Sequence, residues 1–61
     1  MTREQELEKM MKWIGNYLMR TAGYIGYVTI DYVGICGGVE HQSGATFEEC
    51  IRKAMQQEGE L

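Results

Sequence analysis

The chain has 61 residues, enough for one domain (1–61) with a thin core, because a chain of this length buries only about 60 % of its unfolded surface. Its 44 % hydrophobic and 25 % charged content excludes disordered and low-complexity classes, and nine acidic against six basic residues give a net charge of -3, which does not favour phosphate backbones. Two cysteines are too few for a disulfide-stapled secreted scaffold, so a reducing cytoplasm is the expected location.

Thr2 and Gln5 have the spacing of a capping box, in which the threonine oxygen accepts from a free backbone N–H and the glutamine reaches back. A helix is predicted from Arg3 to Met19 or Thr21. Leu7, Met10, Met11, Ile14 and Leu18 form its apolar stripe, widened by Trp13 and Tyr17, while Glu4, Glu8, Lys12 and Arg20 take the solvent face. Gly15 inside this pattern suggests close approach by another backbone, and Gly23 reads as the left-handed stop.

From Tyr24 the composition turns to β-branched and aromatic residues, which suits a strand. The turn that follows has two candidate positions, near Gly34 or at Gly37–Gly38. The earlier is preferred, with a second strand over 35–42, although it leaves two glycines inside a strand. Interrupted by Asp31 and several glycines, this region is also too short for the roughly 20 residues of a bilayer helix, and no membrane association is expected.

Gln42, Ser43 and Gly44 are read as a loop into a second helix, which Thr46 and Glu49 open with another capping box. Phe47, Cys50, Ile51, Ala54 and Met55 make its buried stripe, and Gly59 ends it. The predicted fold is therefore α+β, a helix-β-hairpin-helix (αββα) with both helices on one face of a two-stranded antiparallel sheet. Two unprotected edges invite completion by dimerisation.

Chemistry-bearing sets are few. Cys36, His41 and Cys50 offer three metal-capable side chains at spacings unlike the four-ligand pattern of structural zinc, and Cys50 falls on an apolar stripe, so no metal or cofactor is expected. Cys36 with His41 could form a nucleophile and its base. A unit this small offers no evident cleft or oxyanion site for them, so the chain is read as not an enzyme. The glycines spell no phosphate loop.

Aromatic residues are the most informative feature, with Trp13, Tyr17, Tyr24, Tyr27 and Tyr32 falling within twenty residues. Strand alternation predicts that Tyr24 and Tyr32 share one face and Tyr27 takes the other. Trp13, Tyr24, Tyr27 and Tyr32 are the candidate binding residues, since large amphipathic rings dominate protein interfaces. The alternative is a single-stranded nucleic-acid binder using the same rings with Arg3, Lys9, Lys12 and Arg20 on phosphates. Nucleic acid is disfavoured because no Lys or Arg occurs from Thr21 to Ile51. The expected function is a small protein-protein interaction or regulatory module of the accessory or phage-type inhibitor kind, with a protein partner and possible homodimerisation.

The passage Gly44-Ala-Thr-Phe-Glu-Glu-Cys-Ile-Arg-Lys-Ala54 resembles the strand-to-helix passage G-x-T-x-E-E-A of HicB-type antitoxins and of small phage-encoded proteins. It spans 11 of 61 residues and consists of a capping box followed by an apolar stripe. It is also similar to the hairpin-to-helix passage of double-stranded RNA-binding domains. Glu48 and Glu49 stand where those domains carry a basic cluster, which speaks against RNA.

Overall fold

The computed structural model describes residues 2–60 and has the order α1 (Arg3–Tyr17), β1 (Leu18–Tyr24), β2 (Tyr27–Val33), β3 (Val39–Gly44), α2 (Phe47–Gln57). The α+β class and both helices are as expected. The sheet, however, has three antiparallel strands in the order β1-β2-β3, not two, so the architecture is αβββα.

The capping box forms in full at α1, where the Gln5 N–H donates to Thr2 Oγ1 (3.2 Å) and the Thr2 N–H donates to Gln5 Oε1 (3.0 Å). Met10 and Ile14 are buried, and Leu7, Trp13 and Tyr17 pack beside them. Met11, expected in the stripe, remains 56 % exposed. The helix stops at Tyr17, two to four residues before its predicted end. Leu18 still donates its N–H to the Ile14 carbonyl, but its ψ of 130° turns the chain straight into β1 with no intervening loop. Pairing with β2 overrides the helical propensity of Leu18-Met19-Arg20.

β1 and β2 join through Ile25–Gly26, and the φ of 87° at Gly26 supplies the left-handed residue that this two-residue connection requires at its second position. Gly23, expected to stop a helix, instead pairs with Val28 inside β1. Gly15 makes no close approach, since a Cβ added there would meet nothing within 4 Å. Met19 is the extra residue of a bulge between Leu18, opposite Tyr32, and Arg20, opposite Asp31.

Both candidate turn positions belong to one loop over 34–38. The Gly34 N–H donates to the Gly38 carbonyl and the Gly37 N–H to the Gly34 carbonyl, each at 2.8 Å. The conflict of glycines inside a strand therefore disappears, and β3 begins at Val39, running through residues 42–44 that were read as loop.

At α2 the Glu49 N–H donates to Thr46 Oγ1 (3.1 Å), whereas the Glu49 carboxylate accepts from the N–H of Ala45, not of Thr46 (3.2 Å). Only the first half of the expected box is made. Thr46→Ala should lower stability by about 1 kcal/mol in denaturant titration. At the other end Gly59 (φ 76°) donates to the Gln56 carbonyl and Glu60 to that of Met55, the paired bonds of a Schellman stop.

The core consists of Met10 and Ile14 from α1, Ile30 and Tyr32 from β2, and Cys50, Ile51, Ala54 and Met55 from α2. Arg3–Glu48 and Arg52–Glu6 ion pairs tie the two helices at their rims, where such pairs contribute little. Both helices thus cover one side of the sheet, and its other side is open. No helix is long and apolar enough to cross a membrane among the described residues.

Candidate functional site

Alternation assigns each strand residue to a face. Val28, Ile30 and Tyr32 point toward the helices, so Tyr27, Thr29, Asp31 and Val33 point away. Cross-strand partners share a face, which adds Tyr24, Ala22 and Arg20 from β1 and Ser43, His41 and Val39 from β3. These residues make the open surface.

The four candidate residues fall into two groups. Tyr24 and Tyr27 face each other across the turn, stacked at 4.8 Å between ring centroids and 14° between planes, and are 56 % and 46 % exposed. Tyr32 is 0 % exposed, and Trp13 packs edge-on against it at 5.8 Å and beside Tyr17 at 5.1 Å. The expected division, Tyr24 with Tyr32 and Tyr27 opposite, is therefore corrected. It assumed one continuous strand, and the turn at Ile25–Gly26 restarts the alternation. Tyr32 belongs to the core, and with Trp13 it forms no surface with the stacked pair. Burial raises the Tyr32 phenol above its ordinary pKa, partly offset by the Gln42 amide that donates to its oxygen (3.4 Å).

Beside the stacked pair, Arg20, Asp31 and His41 lie in one row across the three strands. His41 Nδ1 and Asp31 Oδ1 are 2.6 Å apart, which fixes the ring orientation. The small side chain of Ala22 leaves a depression of about 250 Å³ lined by Arg20, Thr21, Ala22, Tyr24, Thr29 and Asp31. This row is not legible in the sequence, where helical spacing through Leu18 assigns Arg20 to the first helix.

A nucleophile–base pair would need a hydroxyl or thiol at the His41 ring. Among the described residues no hydroxyl or thiol is hydrogen-bonded to its ring, whose side chain is 72 % exposed. Cys36 is exposed in the 34–38 loop, while Cys50 is buried and its thiol donates to the Val28 carbonyl (3.1 Å). Desolvation raises the Cys50 thiol above its ordinary pKa, so it is the structural thiol its stripe predicted. Among the described residues no three His, Cys, Asp or Glu side chains gather as a metal site.

The basic residues proposed as phosphate contacts are also divided. Arg3, Lys9 and Lys12 sit on α1, in the layer behind the sheet, and Arg3 is paired with Glu48. Only Arg20 of the four shares the open face.

The two sheet edges differ in kind. Closing a two-residue turn makes Tyr24 and Tyr27 a hydrogen-bonded pair, and alternation then directs the main-chain groups of Thr21 and Gly23 to the free edge of β1, and those of His41 and Ser43 to that of β3. Lys53 Nζ donates to the Ser43 carbonyl (2.9 Å), blunting the β3 edge. Among the described residues the β1 edge has no such cover. Arg20 is its one charged residue, and exposed Leu18, Met19, Tyr24 and Ile25 border it.

Comparison with family models, curated proteins and solved structures finds no match. The likeness of residues 44–54 to HicB-type passages stays confined to that segment.

Proposed function

We propose that the chain is a small non-catalytic protein-interaction module of the reducing cytoplasm, acting as an accessory or inhibitor protein, and that it grips a protein partner with Tyr24 and Tyr27. The observation that supports this reading is a stacked, half-exposed tyrosine pair on a sheet face that no helix covers. Mutual stacking holds the rings in place before contact, so little side-chain entropy is lost on binding. Each ring offers apolar area with a polar tip, the combination favoured at interface centres.

The row beside them gives the contact direction. Arg20, Asp31 and His41 supply charge-assisted hydrogen bonds that select a partner polar at its rim. Base stacking on the same tyrosines is the competing use, but a nucleic-acid groove needs cations along the strand path, and Arg20 alone with a net charge of -3 provides a poor one.

The test is affinity capture from the native host, with purified partner then titrated against wild type and the Tyr24→Ala/Tyr27→Ala double variant. An affinity loss of about 2 kcal/mol or more, with the circular dichroism spectrum unchanged, is expected. Equal affinity overturns the reading, and a captured nucleic acid whose binding falls steeply with salt replaces it.

A further inference from the structure

We infer that the free edge of β1 pairs antiparallel with the β1 edge of a second copy about a two-fold axis at Ala22, joining two three-stranded sheets into one. This goes beyond the partner contact of Tyr24 and Tyr27, and its hydrogen bonds rest on different atoms, the main chain of Thr21 and Gly23.

The choice of edge follows from its chemistry. β3 is blocked by Lys53 on the Ser43 carbonyl and is lined by Glu40 and His41. β1 is unblocked, lacks proline and carries exposed apolar residues along its length, the features of an edge that accepts another strand.

The choice of occupant follows from self-complementarity. A two-fold axis through a residue preserves parity, so the helices of both copies lie on one side and both tyrosine stacks on the other. Centred on Arg20, the pairing would set like charges face to face. Centred on Thr21, it would oppose the bulged Met19 to Gly23 and break the ladder.

Centred on Ala22, it uses only regular strand residues. Thr21 and the partner's Gly23 then exchange both main-chain hydrogen bonds, and the symmetric pair does the same. Arg20 comes opposite the partner's Tyr24, placing a guanidinium against an aromatic ring. With eight buried apolar residues among those described, the core is thin and has much to gain from such association.

Sedimentation equilibrium of the full chain over a dilution series tests this. Wild type is expected to give a species of twice the 7.0 kDa chain mass that dissociates on dilution. Thr21→Pro removes a donor that bonds nothing among the described residues, so it should keep the fold and weaken the dimer by about tenfold or more through two symmetry-related lost bonds. Ala22→Lys and Ala22→Glu should each weaken self-association, and mixing them should restore a heterodimer, because opposed residues at the axis then carry opposite charges. A wild type monomeric throughout, a Thr21→Pro chain that dimerises like wild type, or a mixture without heterodimer overturns the inference. Tyr27 lies outside the pairing, so loss of partner capture in Tyr27→Ala is read independently of the dimer.

Discussion

Tyr32→Ala is expected to leave the chain largely unfolded at 25 °C, with the fluorescence of Trp13, the one tryptophan, shifted to that of a solvated indole. Tyr32 is completely buried on the central strand, under both helices and against the Trp13 ring. Truncating a buried aromatic costs about 3–5 kcal/mol, and a domain of this size holds about that much in total. Tyr24→Ala, on the open face, should by contrast cost about 1 kcal/mol, chiefly the lost stacking on Tyr27.

Tyr32→Phe separates packing from the hydroxyl. Only the long Gln42 bond is lost, so stability near neutral pH should fall by about 1 kcal/mol or less. In alkali the difference narrows. Burial raises the Tyr32 pKa above its ordinary 10.0, so its contribution is fully present below about pH 10 and is lost as the pH rises through the raised folded-state value. Cys50 acts in the same direction from its ordinary 9.0. Denaturant midpoints measured against pH should therefore fall less steeply for Tyr32→Phe than for wild type, and parallel curves would contradict the burial of that phenol.

A thiol reagent is expected to modify Cys36 at the rate of a free surface thiol and Cys50 only as fast as the chain opens. The 34–38 loop presents Cys36 to solvent, whereas Cys50 is covered, bonded to the Val28 carbonyl and held protonated by desolvation. With a stability of about 3–5 kcal/mol, the slow phase should lag by about 10²–10³-fold or more. Addition of denaturant should merge the two phases. Equal rates in native buffer would mean that α2 does not lie on the sheet as described.

How far the fold was legible in the sequence depended on where local signals were strong. Both helix starts were readable because a threonine three residues before Gln or Glu offers its hydroxyl oxygen to a free helical N–H, a bond made at both ends, and the α2 stripe was readable because its period carries no competing pattern. β1 was not. Leu18 falls four residues after Ile14 and extends the helical stripe, no glycine or proline separates helix from strand, and only long-range pairing with β2 decides between the two states.

That single misplacement propagated into the site. Treating residue 24 as the start of a strand, and not the end of one, put the tyrosines on the wrong faces and hid the row of Arg20, Asp31 and His41. The visible clue was Tyr24-Ile25-Gly26-Tyr27, a glycine at the second of two residues between matched aromatic ends, flanked by Ala22-Gly23 and Val28-Thr29. Tyr32 was drawn into the candidate site because an aromatic in a strand carries no mark of which face it takes until register is known.

The central claim is that residues 18–24 form a strand beside 27–33, so that Tyr24 and Tyr27 meet on the open face while Tyr32 lies in the core. A nuclear Overhauser spectrum of the full chain tests it most directly. Contacts between the α-protons of Gly23 and Val28 and of Thr21 and Ile30, with Tyr24 ring protons touching Tyr27 and Tyr32 ring protons touching Trp13, are the result predicted here. Sequential amide contacts running unbroken from Tyr17 through Gly23, with no cross-strand contact, would mean a continued helix and would contradict it.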